Sequence, residues 1–296
     1  MKSGFIAIVG RPNAGKSTLL NAIMKQKLAI VSNKPQTTRN NIQGILTDED
    51  SQIVFIDTPG IHKPKNKLGS YLTSTAINTF KGVDVILFLV DDRLSKGPGD
   101  KYILELLKKV EDTPKILIIN KTDLMTPDEY KIIFDEYEAT GVFNHIIGMS
   151  ALKEHNTDVC IAKIKPFIGE GPMYFPKEMF TDHPMRFLVS EVIREKTLLY
   201  LNDEVPHGVA VEIERYEEDE RCTNINAVIY CERSSHKGII IGAKGKKLKG
   251  IGKAARLEIE PLIGSKVFLE LWVKVKENWR ESDIAISNFG YSGDDQ

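Results

Sequence analysis

Three short stretches in the first half of the chain carry residue types and spacings suited to one chemistry, the binding of a nucleoside polyphosphate. Gly10-Arg11-Pro12-Asn13-Ala14-Gly15-Lys16-Ser17 fits the pattern GxxxxGK[ST], directly after an apolar run and at the start of a helical stretch that continues with Thr18. Glycines there let backbone N–H groups turn inward around phosphate oxygens, and a helix N-terminus adds positive potential. Lys16 is placed to neutralise β- and γ-phosphates and the Ser17 hydroxyl to bind Mg²⁺. Asp57-Thr58-Pro59-Gly60 follows a second apolar run. A carboxylate at a strand end can hold the Mg²⁺ shell, and the Gly60 N–H can approach the γ-phosphate. On its own this tetrapeptide also suits a β-turn. Asn120-Lys121-Thr122-Asp123 ends a third run, where doubly wound sheets bind ligands. The Asp123 carboxylate can accept two hydrogen bonds from the N1–H and N2–H₂ edge of guanine. Adenine lacks that donor pair, and an unsatisfied buried polar group costs about 1–3 kcal/mol. Guanine is therefore the expected base, with a backbone N–H of Ser150-Ala151-Leu152 available to its O6.

A different chemistry is written near residue 240. Three isoleucines, 239 to 241, precede Gly242-Ala243-Lys244-Gly245, and Lys246, Lys247, Leu248 and Lys249 follow. Glycines allow close backbone approach, a helix start attracts phosphate, and four lysines concentrate positive charge at one place. With Ile241 and its apolar neighbours alongside, Gly242 to Lys249 suit a clamp on about four splayed-out nucleotides of single-stranded RNA.

The elements that must position these residues follow from the apolar patterning. Segments 5–9, 53–56, 85–90, 116–119 and 145–149 are short, continuous and rich in Ile and Val, and helical stretches at 16–24, 68–80, 99–109, 127–138 and 157–167 lie among them. That alternation predicts a mostly parallel sheet with helices on both faces. Segment 42–47 is less apolar and fits an antiparallel edge strand. The stretch 169–184 holds three prolines and two glycines and reads as a linker. Beyond it an α+β pattern is expected: a helix at 186–201, strands at 209–216 and 224–231 joined by a charged turn at 217–221, a short helix before Gly242, a longer helix at 246–262 and a strand at 267–275. The expected division is 1–168, a linker 169–184, and 185–296, ending in a short polar tail at 292–296.

Composition narrows the function classes. Lys and Arg number 40 against 41 Asp and Glu, so net charge is -1 and nucleic-acid binding must come from a local patch rather than the whole-molecule field. No apolar run approaches the roughly 18 residues of a membrane span, and the start leads straight into a strand without the pattern of a signal peptide. Cys160, Cys222 and Cys231 form neither a CxxC pair nor a zinc spacing, and buried reduced thiols are expected. The six histidines show no metal-ligand spacing. The chain reads as cytoplasmic. Trp279, in a final amphipathic turn over 277–283, is expected in the core, with stacking on a base the alternative.

Taken in this order, GxxxxGKS, DTPG, NKxD and SAL resemble the translation-factor-like class of P-loop GTPases. Asn13 within the phosphate loop and the pair Thr37-Thr38 within 36–40 resemble the Era group of that class. The resemblance implies that 36–40 is the effector loop and that one of the two threonines closes on Mg²⁺ in the GTP state. Which of them does so the motif leaves open; Thr38 is taken with Ser17 and Asp57 as the metal set, and with Lys16, Gly60 and Asn13 as the catalytic set. Many GTPases carry after DxxG a Gln that orients the attacking water. Ile61 stands there instead, so intrinsic hydrolysis should be slow. Potassium-dependent relatives carry Asn at the position of Asn13, which implies a K⁺ ion in place of an arginine finger; a purely loop-shaping Asn13 is the alternative. The basic loop 61–72 is expected to report the nucleotide state.

The stretch around GxxG, in the order helix, strand, strand, helix, GxxG, helix, strand, resembles a type II KH domain. An α/β GTPase domain followed by such a domain resembles the Era family along nearly the whole chain. That implies a GTP-hydrolysing, Mg²⁺-dependent protein of small (30S) subunit assembly, binding the 16S rRNA 3′ end, with GTP ordering the loops that set RNA access. Peripheral association with the inner face of the cell membrane is also implied. The rivals are an RNA-binding module that keeps GTP as a structural ligand, and a GTPase whose basic patch reads anionic lipid.

Overall fold

The computed structural model describes residues 1–34, 36–91, 97–202, 205–219 and 221–291; the tail 292–296 and residue 220 of the expected turn lie outside them. The chain forms two compact units. The first comprises Met1–Ala29, Thr38–Lys65 and Gly69–Asp182, the second Ile30–Thr37, Asn66–Leu68 and His183–Gln296.

In chain order the first unit is built from β1 (Lys2–Gly10), α1 (Lys16–Met24), β2 (Ile42–Thr47), β3 (Ser51–Asp57), α2 (Lys67–Asn78) from Gly69 onward, β4 (Val85–Val90), α3 (Pro98–Lys108), β5 (Lys115–Ile119), α4 (Pro127–Glu138), β6 (His145–Gly148) and α5 (Thr157–Ile164). The strands form one sheet in the order β2-β3-β1-β4-β5-β6. All neighbours pair in parallel except β2, the antiparallel edge strand, as its weaker apolar content indicated. β4 reads Val-Ile-Leu-Phe-Leu-Val and is buried at every residue, as a parallel strand covered on both faces must be. The register sets Ile8 beside Asp57, Gly10 beside Leu89, and Ile119 beside Gly148. The carboxyl ends of five strands therefore line one edge, and every nucleotide motif is the loop leaving such an end.

The Gly- and Pro-rich stretch is not a free linker. Its residues up to Asp182 belong to the first unit. Gln52 accepts the N–H groups of Tyr174 and Phe175 at 2.8 and 3.0 Å and donates to the Phe175 carbonyl at 2.8 Å. The Ile45 N–H of the edge strand donates to the Phe180 carbonyl at 2.9 Å. Glycine and proline exclude helix here, but an extended backbone can still cover a sheet edge.

The second unit contains α6 (Met185–Leu199), β7 (Ala210–Glu218), β8 (Thr223–Cys231), α7 (Ser234–Ile241), α8 (Lys246–Ile263), β9 (Val267–Val275) and a terminal α9 (Asp283–Asn288) that the sequence reading did not include. β7 pairs antiparallel with β8, which pairs in parallel with β9, the type II arrangement. Val189 and Ile193 of α6, Ile225, Ala227 and Ile229 of β8, and Ile251, Ala255 and Ile259 of α8 form its core. Trp279 is fully buried and donates Nε1–H to the Gly208 carbonyl at 2.9 Å, so it packs the core and is not a stacking platform for bases. Cys160 and Cys231 are buried and Cys222 is half-buried, all as free thiols.

The expected division treats each domain as one continuous stretch, and segment Ile30–Thr37 departs from it. Glu195 of α6 accepts the Val31 N–H at 2.8 Å. Arg194, paired with Glu191 at 2.6 Å, donates to the Thr37 carbonyl. These three charged side chains of α6 are buried, against the usual reading of a charged helical position as solvated.

Candidate nucleotide and RNA sites

The phosphate loop leaves β1 at Gly10 and enters α1 at Lys16. Gly15 has φ 101°, and a Cβ there would lie 2.1 Å from Asn120 Nδ2, so only glycine fits. Lys16 is buried and its Nζ donates to the carbonyls of Arg11 and Gly10 at 3.0 and 3.3 Å. Burial pushes its amine down to about 8, with Asp57 pulling upward and Arg11 adding to the fall. Asn13 stands exposed at the loop's tip with φ 66°.

Three oxygens converge at the start of α1. Ser17 Oγ donates to Asp57 Oδ2 at 2.6 Å and lies 2.9 Å from Thr38 Oγ1. The other Asp57 oxygen, Oδ1, is buried with no hydrogen-bond partner. Burial pushes the Asp57 carboxyl up to about 6, opposed by Lys16, Ser17 and Thr38. A buried carboxylate with an orphaned oxygen beside two hydroxyls is a donor set suited to a hard divalent cation. It is Thr38 that reaches this set, whereas the Thr37 hydroxyl donates to the Lys34 carbonyl at 2.5 Å.

The DTPG loop lies against the phosphate loop. The Thr58 hydroxyl donates to the Ile8 carbonyl at 2.8 Å, and the Ile61 N–H donates to the Gly10 carbonyl at 3.1 Å. Ile61 is fully buried, packed with Ala7, Val9, Ala76 and Phe80. The side chain after DTPG therefore turns into the core.

The guanine motifs lock onto the same loop. Asn120 Nδ2 donates to the Ala14 carbonyl at 2.9 Å, and its Oδ1 accepts the Ala151 N–H at 3.0 Å. That Ala151 N–H, a candidate donor to guanine O6, is thus turned toward Asn120. Ser150 Oγ donates to Asp123 Oδ1 at 2.5 Å, which holds the exposed Asp123 carboxylate at the mouth of the site. Leu152 is exposed beside it and Lys121 is half-buried in the left-handed region at φ 64°. Asp91 and Asp100 also enter this region, held by Arg11, and no motif in the sequence pointed to them.

In the second unit the GxxG turn joins α7 to α8. Gly242 has φ 71°, and a Cβ there would meet Lys247 Cβ at 2.7 Å; Lys244 and Gly245 also have positive φ. Ala243, Lys244, Lys246 and Lys249 are exposed, while Lys247 is half-buried beneath Gly242. Ile240 and Ile251 are core residues, whereas Ile241 and Leu248 are half-buried against that core beside the turn. Exposed charge next to a partly open apolar surface suits a nucleic-acid backbone with its bases turned inward. Among the described residues no helix is long and apolar enough to cross a membrane, and no group of three or more His, Cys, Asp or Glu is placed to hold a metal.

Guanine-nucleotide motifs at the carboxyl edge of a doubly wound sheet, with a lysine-bearing GxxG turn in a separate α+β unit, are the build of a P-loop GTPase that carries a KH domain. Residues 5–121 match a family model described as 50S ribosome-binding GTPase, and residues 204–280 match the KH domain. The chain is 58% identical over 294 residues to GTPase Era of Clostridioides difficile (strain 630), covering 98% of this chain and 99% of that protein. It is 56% identical over 292 residues to GTPase Era of Alkaliphilus oremlandii (strain OhILAs), at the same coverage of both. A crystal structure of Era in complex with MgGDPNP and nucleotides 1506–1542 of 16S ribosomal RNA is similar with a TM-score of 0.95 and 39% identity, covering 99% of each chain. An Aquifex aeolicus Era variant bound to GDP·AlF4⁻ is similar with the same TM-score at 38% identity, over 99% of this chain and 100% of that one. The chain belongs to the Era family of GTPases.

Proposed function

We propose that this GTPase acts in assembly of the small (30S) ribosomal subunit in the cytoplasm, binding the 3′ end of 16S rRNA through the turn Gly242–Gly245 and switching its hold with the bound nucleotide. The observation that carries this reading is the exposed lysine-bearing GxxG turn beside Ile241 and Leu248, in a chain similar over nearly its full length to an Era crystallised with that rRNA segment.

In the first unit the phosphate-loop residues Gly10 to Thr18 enclose the phosphates. Lys16 leaves the carbonyls of Gly10 and Arg11 for the β- and γ-phosphates, whose negative charge offsets the burial of its ammonium. Ser17, Thr38 and Asp57 would hold Mg²⁺, with Asp57 Oδ1 a carboxylate oxygen that no hydrogen bond occupies. When bound, Mg²⁺ supplies positive charge to the phosphates during transfer. Asp123, steadied by Ser150, reads the guanine edge, while Asn120 ties the base loop to the phosphate loop at Ala14. The Gly60 N–H meets the γ-phosphate. Because Ile61 is buried, no side chain from that position orients the attacking water, and turnover relies on charge and backbone placement. Asn13, exposed at the loop's tip, would be the residue to hold a K⁺ ion.

The test is titration of a labelled oligonucleotide matching the 16S rRNA 3′ end, at fixed salt, with a GTP analogue and with GDP. Gly→Asp changes in the turn would strain positive-φ positions, so the specific variant is Ala243→Asp with Lys244→Asp, at exposed residues of which only Lys244 lies in the left-handed region, which Asp tolerates. Tighter binding with the GTP analogue, lost in the variant, supports the proposal. Equal weak binding in both states overturns it.

A further inference from the structure

Arg11 belongs to the phosphate loop, but its side chain leaves the loop for the interior. The guanidinium bridges two carboxylates: Nε donates to Asp100 Oδ1 and Nη2 to Asp91 Oδ1, each at 2.6 Å. Asp91 follows β4 and Asp100 lies in the first turn of α3; their exposures are 4% and 2%, against 7% for Arg11. The second Asp91 oxygen lies 3.7 Å from Lys121 Nζ in the guanine motif. Burying so many charges does not by itself stabilise a fold, since desolvation offsets the attraction; the better-attested use is to fix a particular geometry.

The geometry fixed here is the arm Gly10-Arg11-Pro12. Its carbonyls at Gly10 and Arg11 hold Lys16 Nζ, and the Gly10 carbonyl also accepts the Ile61 N–H. Pro12 lies so close beneath Gly60 that a Cβ there would come within 2.7 Å of the Pro12 nitrogen. One arm thus carries both groups that meet a γ-phosphate, Lys16 and the DTPG loop.

We propose that Asp91 and Asp100 are positioning residues for GTP hydrolysis, acting through Arg11 to hold the Gly10–Pro12 arm beneath the DTPG loop. The inference rests on the nucleotide-site reading above. GDP lacks the γ-phosphate, so loosening the arm reduces turnover more than GDP affinity. A lysine at position 11 keeps the charge but has no planar fork to bridge two carboxylates.

The experiment uses the full chain with Arg11→Lys and, separately, Asp100→Asn. Active sites are counted by GDP titration, and kcat per site, KM and GDP Kd are measured. Expected is a fall in kcat per site of about tenfold, the signature of a lost transition-state placement. GDP Kd is expected to move by less than about threefold. Gly99→Ala supplies a test without charge change, because the added Cβ would lie 2.7 Å from Arg11 Cδ and displace the clamp. It is expected to lower kcat per site in the same sense, and it carries the test if the charged variants do not fold. Unchanged kcat per site in the folded variants overturns the proposal, as does an equal loss of GDP and GTP affinity with kcat per site retained. Absence of GDP binding or turnover by the wild-type chain would instead strike at the nucleotide-site reading itself.

Discussion

The charge state of the nucleotide site gives a sharp expectation for pH. Asp57 is raised by burial from 3.8 to about 6, and Lys16 is lowered by burial from 10.5 to about 8. Folding thus favours the neutral form of each group. The Asp57 contribution to stability is fully present below its unfolded value and lost as pH rises through 6. The Lys16 contribution is present above 10.5 and lost as pH falls through 8. Between those two values both groups are charged and buried, at a cost of about 3 kcal/mol each. On the proposed reading Mg²⁺ and phosphate oxygens relieve that cost, so the site is most receptive in the window where the free protein is least stabilised by these groups. With Asp57 as the Mg²⁺ ligand proposed above, binding of the ion requires its ionised form, whose fraction falls from about 0.9 at pH 7 to about 0.1 at pH 5. The ratio of GDP Kd without Mg²⁺ to that with Mg²⁺ should therefore fall about tenfold over that range. On the alkaline side, loss of the Lys16 proton should weaken GDP binding about tenfold between pH 7 and 9. The assay is a fluorescent-GDP titration at constant ionic strength, with wild type and Asp57→Asn in parallel. The variant retains the titration of the nucleotide's own phosphates and lacks that of the carboxyl. A ratio that falls no more steeply in wild type than in Asp57→Asn would refute the reasoning.

Two further outcomes follow from the packing. Ile61→Gln places an amide among Ala7, Val9, Ala76 and Phe80; it should destabilise the first unit by about 1–3 kcal/mol in urea unfolding. It should also leave single-turnover hydrolysis no faster than wild type, and a rise of about tenfold would show that this side chain does reach the water. Trp279→Ala removes a fully buried indole, its bond to the Gly208 carbonyl and its edge contact with Phe289 at 5.1 Å. A loss of about 3–5 kcal/mol is expected in denaturant unfolding of the second unit, and a loss below about 1 kcal/mol would contradict the core assignment.

What could be read from the residues depended on whether the signal was local. Segments 42–47, 85–90 and 267–275 are strands, and 16–24 and 127–138 helices, at the expected bounds, because apolar runs end sharply at turn residues or caps. Thr126 with Glu129 is such a cap, each side chain serving the other's backbone N–H. The short α9 has an ordinary N-cap, Ser282 accepting the Ala285 N–H, but six residues are too few to carry a helical periodicity. The anchoring of stretch 169–184 is illegible for a different reason. Its anchoring depends on Gln52, more than a hundred residues away, and nothing in its own composition reports that partner.

The site divides along the same line. GxxxxGKS, DTPG and NKxD are contiguous, and the parallel register carries them to one edge without further information. Choice between Thr37 and Thr38 needed the third dimension, since both hydroxyls suit a cation and only one meets Ser17. Asp91 and Asp100 were invisible for a stronger reason: a lone aspartate after a strand or in a helix's first turn is ordinary cap chemistry. Their meaning arises only when Arg11 reaches both. The phosphate loop is then held from two sides, by Asn120 at Ala14 and by the two aspartates at Arg11. Ile61 completes the arrangement by anchoring DTPG to the core through its side chain and to Gly10 through its N–H. A side chain committed to packing cannot also orient water, so on the proposed reading the placement of these loops supplies what a polar residue supplies elsewhere.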